Sequence, residues 1–220
     1  MNNQATIAIF SACCGMALGL VLSNKFTRPS PSSNLLKDCA RKPHGNDDKT
    51  LVLSHIAAYP DFPQKGILFR DIFPILRSPS AFQALVRLLH DRIKSLGKID
   101  VIVGLESRGF LIGPLLATLI GCSFVPVRKP GKLPGKLTSV SYEKEYGKDT
   151  FDIQTEAIKP GDRVVFFDDL LATGGSLFAS TSLVTGLGGI VVECIVIIEL
   201  ADIQGRKNVP HPVWSLFQFD

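Results

Sequence analysis

"VVFFDDLLATGGSLF", residues 164–178, runs from four apolar residues into two adjacent aspartates and then into a Thr-Gly-Gly-Ser turn. The apolar residues extend a run that starts at Arg163 and read as a strand buried on both faces. The turn leads into a helix predicted to reach about Leu187. A strand, a Gly-rich turn and a helix in that order form the unit of a parallel α/β sheet, in which ligands sit beyond the carboxyl ends of the strands. This unit decides the fold class, and its neighbours agree with it.

Downstream, "IVVECIVIIEL" (190–200) is a second buried strand and completes a β-α-β unit. Upstream, "SPSAFQALVRLLHDRIKSLG" (78–97) begins with Ser78 as N-cap and Pro79 at the first helical position, and ends at Gly97. Phe82, Leu85, Val86, Leu89, Ile93 and Leu96 share one face of that helix. "DVIVG" (100–104) and "SFVPV" (123–127) are short strands flanking an apolar helix, "GFLIGPLLATLIG" (109–121). The expected fold is α/β, with a central parallel sheet covered by helices on both faces.

The 220 residues are 45% hydrophobic and 20% charged, which suits one well-buried domain plus an appendage and excludes disorder throughout. The net charge is only +4, and six basic residues fall between Arg128 and Lys148. A local excess of this kind suggests a small anionic ligand rather than a nucleic-acid track. Five cysteines lack the spacing of a metal site or a disulfide framework; Cys122 and Cys194 sit in apolar runs expected to bury free thiols, which fits a reducing compartment.

The chain divides near residue 45. Residues 29–49 are rich in Pro, Ser, Asn, Asp and Lys and read as a solvated linker. Ahead of it, "ATIAIFSACCGMALGLVL" (5–22) carries no charge and is followed by Lys25 and Arg28. Three readings stay open: a membrane anchor that leaves the rest of the chain in the cytosol, a targeting segment, or an extension without membrane role. Cys13 and Cys14 would be lipidation candidates in the first case.

The chemistry lies in the turn after the paired acids. Glycines permit a tight backbone at Ala172, Thr173, Gly174, Gly175 and Ser176, and the first amides of the following helix, with its dipole, favour a phosphate there. The Lys of a Walker loop and the G-x-G-x-x-G of a dinucleotide fold are both missing. Asp168 and Asp169 would repel a phosphate unless they serve something else, and a sugar diol offers hydroxyl donors for carboxylates. A phosphate for the loop and a diol for the acids describe a ribose 5-phosphate.

The same stretch resembles the phosphoribosyl-pyrophosphate (PRPP) signature of type I phosphoribosyltransferases. "YPDFPQKGILFRDI" (59–72), "GLESRGFLIGP" (104–114), "VRKPGKLPG" (127–135) and "SYEKEYGKD" (141–149) are similar to the adenine-specific branch of that family, over roughly residues 50–220 and in the same order. The resemblance implies transfer of the 5-phosphoribosyl group from PRPP to N9 of adenine, giving AMP and pyrophosphate in purine salvage. It implies that Leu68, Phe69, Arg70 and Leu170 hold adenine from a small hood, and that Glu106, Ser107, Arg108, Arg128, Lys129 and Lys132 hold pyrophosphate. It further implies that Glu145 with Tyr146 forms the catalytic pair, Glu145 managing the proton at N7 of the purine. The basic segment 128–148 is long for a connection and is expected to act as a lid. Mg²⁺ held mainly by substrate oxygens, a homodimer and a cytoplasmic location complete the implication, with residues 46–220 as the catalytic domain. Another purine as substrate, or a non-catalytic PRPP or nucleotide sensor on the same fold, remains open. Lys65, Pro130 and Ser176 depart from the family pattern, and Ser176 keeps the hydroxyl of the usual Thr.

Overall fold

In the computed structural model the described residues are 45–144 and 147–220, and they form an α/β fold around a five-stranded parallel sheet. Its strands are β3 (Val101–Leu105), β4 (Ser123–Val127), β7 (Arg163–Leu171), β8 (Ile190–Leu200) and β9 (Val213–Phe219), in the order β4-β3-β7-β8-β9. The Val, Ile and Phe runs form strands because each face of the sheet has a cover. On one face Val165, Phe167, Ile195 and Ile197 meet α1 (Gly45–Leu53), α2 (Phe73–Arg77), α3 (Pro79–Ser95) and α4 (Gly109–Ile120). On the other, Val164, Phe166, Cys194 and Val196 meet α5 (Gly175–Gly186) and the strand β6 (Gly147–Gln154). Odd and even residues therefore serve different cores, which is why these runs lack the polar alternation of a half-exposed strand.

Sequence boundaries hold closely. α3 starts at Pro79 with the Ser78 hydroxyl accepting from the Ala81 N–H at 3.4 Å, and Leu85, Val86, Leu89 and Ile93 are buried. β7 runs two residues beyond the expected 163–169, through Leu171, so the paired acids lie at the carboxyl end of the strand, as expected, but inside it rather than as its last residues. The parallel ladder against β8 extends to Leu171↔Glu199 and keeps those residues extended.

Two expectations need correction. Residues 45–49 are not solvated linker but the first half of α1, where Asp48 is buried and Arg87 of α3 donates to both its carboxylate oxygens at 3.0 and 2.7 Å. The basic segment after Arg128 is not an irregular connection throughout: β5 (Leu137–Lys144) pairs antiparallel with β6, and Phe151 and Ile153 anchor the ribbon in the core. Two further strands, β1 (Ala57–Pro60) and β2 (Leu68–Asp71), form the separate antiparallel hairpin expected as the hood. Cys194 is buried, which pushes its thiol up to about 12, and Cys122 is half-buried; both are free thiols. Among the described residues no helix is long and apolar enough to cross a membrane; the apolar segment 5–22, with Cys13 and Cys14, lies outside the described residues.

Candidate functional site

A cavity of about 520 Å³ opens where β3 and β7 end side by side. Glu106, Ser107 and Arg108 reach it from the end of β3, and Asp168 through Gly174 with Ser176 reach it from the end of β7. Two segments 60 residues apart in sequence meet because parallel strands put all their carboxyl ends on one edge. Gly174 is the N-cap of α5 at φ +81°, a conformation in which a side chain would be strained, and the turn delivers the amides of the first helical residues to the cavity rim.

The two aspartates are not equivalent. Successive side chains of a strand point to opposite faces, and Asp169 turns toward the N-terminus of α4, where its Oδ2 lies 2.8 Å from Arg108 Nε. Asp169 is buried and Asp168 half-buried, while the Asp169 N–H donates to Asp168 Oδ1 at 2.9 Å. Burial pushes both carboxyls up, Asp168 well above the ordinary range; the neighbouring Asp169 charge raises Asp168 further, whereas the Arg108 guanidinium draws Asp169 back down. One guanidinium thus faces two carboxyls.

Arg108 has a second neighbour. Its Cζ lies 5.6 Å from the Phe69 ring centroid, so one side chain links the β2 hood to the acid at the end of β7. Phe69 in turn packs edge-on against Phe62, with centroids 5.1 Å apart, and Arg70 lies over the Phe219 ring at 4.3 Å. Arg70 is therefore held against the C-terminal strand. Leu68 is exposed, and Leu170 lines the cavity.

The Glu106 carboxylate points away from anion duty. It accepts from Arg128 Nη2 at 2.9 Å, Arg128 Nε at 3.3 Å and the Lys129 backbone N–H at 3.0 Å, and the Arg128 hydrogen bond holds it below the usual carboxylate range. Arg128 also donates to the Lys132 carbonyl at 3.2 Å, which gathers Arg128, Lys129 and Lys132 beside the Glu106–Ser107 peptide, a cis bond. Glu145 and Tyr146, which fall in sequence between β5 and β6, lie outside the described residues.

Phe73, at the start of α2, also lines the cavity and was not among the expected site residues. Neither were Gly205 and Asn208, although Asn208 Nδ2 donates to the Thr173 carbonyl at 2.9 Å and Gly205 packs directly on Ala172. Phe73 follows the hood segment directly; the 205–208 turn has no sequence signal beyond a lone glycine. Among the described residues no three His, Cys, Asp or Glu side chains gather as a metal site, and Glu106 and Asp169 each already face an arginine.

With that geometry the chain can be compared with known proteins. The family described as "Phosphoribosyl transferase domain" matches residues 74–220. The adenine phosphoribosyltransferase of Mus musculus is 51% identical over 173 residues, covering 77% of this chain and 96% of that protein. The Drosophila pseudoobscura pseudoobscura protein of the same name is 51% identical over 174 residues, covering 79% and 96%. Among solved structures, the Saccharomyces cerevisiae adenine phosphoribosyltransferase, complexed with D-2,5-dideoxy-2,5-imino-altritol 1,6-bisphosphate and adenine, superposes with a TM-score of 0.75 at 45% identity, covering 78% of this chain and 99% of that one.

Proposed function

Because this chain belongs to the phosphoribosyltransferase family, we infer that it transfers the 5-phosphoribosyl group of PRPP to N9 of adenine, releasing AMP and pyrophosphate. The reaction serves purine salvage. The observation that carries the assignment of groups is the meeting of the Glu106–Arg108 turn with the Asp168–Ser176 segment around one cavity, under a hood tied to it through Arg108.

In this reading the Ala172–Ser176 loop and the α5 N-terminus hold the 5-phosphate, since their amides are donors with a favourable dipole behind them. Asp168 accepts from the ribose hydroxyls. When pyrophosphate leaves, positive charge develops on the sugar, and an ionised Asp168–Asp169 pair stabilises it. Arg108 and the Ser107 and Arg108 amides receive pyrophosphate, and Arg128, Lys129 and Lys132 add cationic charge. Glu106 contributes its backbone and positions Arg128. Phe69 and Leu170 sandwich adenine, backbone groups at Leu68 and Arg70 read its edge, and Glu145, beside Tyr146, takes the proton at N7 as N9 attacks.

A Mg²⁺ ion would be carried mainly by PRPP oxygens and water rather than by protein side chains. Such an ion would neutralise charge on the departing pyrophosphate. The family resemblance supports a homodimer, with a cation from the Arg128–Lys132 segment reaching across it, and a cytoplasmic catalytic domain spanning 46–220 behind an N-terminal extension.

The decisive experiment incubates the full-length chain with PRPP, Mg²⁺ and each purine in turn and measures pyrophosphate. Adenine alone is expected to support release. Release with hypoxanthine or guanine and none with adenine would replace the substrate; binding of PRPP without release by any purine would replace the enzyme with a sensor. Sedimentation of the same preparation tests the dimer.

A further inference from the structure

The turn at 205–208 touches the phosphate loop from behind, and each side is glycine where they meet. A Cβ on Gly205 would lie 1.8 Å from the Ala172 carbonyl oxygen and 2.7 Å from the Thr173 carbonyl carbon; one on Gly174 would lie 2.3 Å from the Gly205 carbonyl oxygen. Beside this contact Asn208 Nδ2 donates to the Thr173 carbonyl at 2.9 Å. In a trans peptide the C=O and the following N–H point in opposite directions. Carbonyls of Ala172 and Thr173 drawn against the turn therefore leave the N–H groups of Thr173 and Gly174 directed away from it, on the side where Ala172, Thr173 and Gly174 line the cavity.

We propose that Gly205 and Asn208 are positioning residues for PRPP: the turn orients two peptide planes of the loop so that their donors converge on the 5-phosphate. The turn can do this because it is itself fixed. Arg206 donates to both oxygens of buried Glu199 in β8 and to the Val213 carbonyl at the start of β9, while Ser215 and Gln218 donate to Glu199 at 2.6 and 3.0 Å. Donors aimed in advance need no reorganisation when the anion arrives, which is where a backbone anion site gains its affinity.

The proposal rests on assigning the loop to the 5-phosphate, and the test separates the two. In the full-length protein, Asn208→Asp keeps the size of the side chain but turns an acceptor toward the Thr173 carbonyl. KM for PRPP is expected to rise about tenfold and calorimetric affinity for ribose 5-phosphate to fall by a similar factor, with KM for adenine within about twofold. Asn208→Ala, which only removes the donor, gives a smaller change of the same kind and takes over the test if Asn208→Asp does not fold. Ser176→Asp, which places a carboxylate in the loop itself, serves as the control. If it abolishes ribose 5-phosphate binding while both Asn208 variants bind normally, the positioning role is wrong and the loop assignment stands. If it leaves binding intact, the loop assignment fails and the positioning role with it. Equal increases in both KM values with a lowered Tm would mark Asn208 as merely structural and overturn the proposal.

Discussion

At the ends of β3 and β7 two carboxyls share one guanidinium, and that imbalance has consequences for stability and for catalysis. Burial raises the folded-state pKa of Asp168, so between its unfolded value and that raised value the folded chain holds more protons than the unfolded one. Stability from this group is therefore greatest at low pH and falls as pH climbs through the window. Asp168→Asn removes the penalty: Tm at neutral pH is expected to rise, by about 2–4 °C for each kcal/mol relieved, while phosphoribosyl transfer falls by at least about a hundredfold because the sugar loses its charged partner. Thermal melts at pH 5 and pH 8 with parallel assays check both, and the Tm gain should be larger at the higher pH. Arg108→Lys tests the other member. An ammonium cannot both pair with Asp169 and lie flat near Phe69, so KM for PRPP and for adenine should rise together in steady-state kinetics.

Elements matter here through the angles at which they present those residues. α4 can bring Arg108 to Asp169 because Gly109 lets its first turn approach β7; a Cβ there would stand 2.7 Å from the Phe167 carbonyl oxygen, a backbone atom that cannot step aside. Gly109→Ala is expected to push the helix start outward and raise KM for PRPP, with a loss of roughly 1–3 kcal/mol of stability from overpacking, measured by denaturant titration. The β8–β9 edge offers a pH test. Glu199 is lowered to about 2, first by its hydrogen bond from Arg206, so its stabilisation is full above the ordinary carboxylate range and is lost as pH falls through about 4 toward 2. The Tm difference between the wild-type chain and Glu199→Gln should be constant above about pH 5 and shrink below it. Elements with an internal period were legible in advance: α3 has its apolar face and cap, and β8 its unbroken apolar run. β5 and β6 were not, because "LTSVSYEK" and "GKDTFDIQ" become strands by pairing with each other across a connection that no short-range pattern marks.

Across the whole molecule, α1 packs as part of the catalytic body. Asp48 is buried against Arg87, and Val52 joins the main core, so the body takes in residues of the polar stretch 29–49. A chain lacking residues 1–44 is expected to keep Tm and kcat/KM within about twofold, whereas one lacking 1–53 removes the Asp48 carboxylate from Arg87 and leaves Val52's site empty and should lose roughly 3 kcal/mol or more in denaturant melts. Fractionation of the full chain against the shorter active one tests whether residues 5–22 hold it at a membrane. The sequence alone determined the fold class, the order of the main strands and helices along the chain, and the Gly-rich turn with the paired acids before it, because each depends on local periodicity, on glycine conformation or on a contiguous motif. Tertiary structure decided which aspartate pairs with Arg108, that Glu106 serves Arg128, and that the 205–208 turn braces the loop. Those outcomes depend on which side chains meet across strands and turns tens of residues apart, and spacing along a chain carries no record of such meetings.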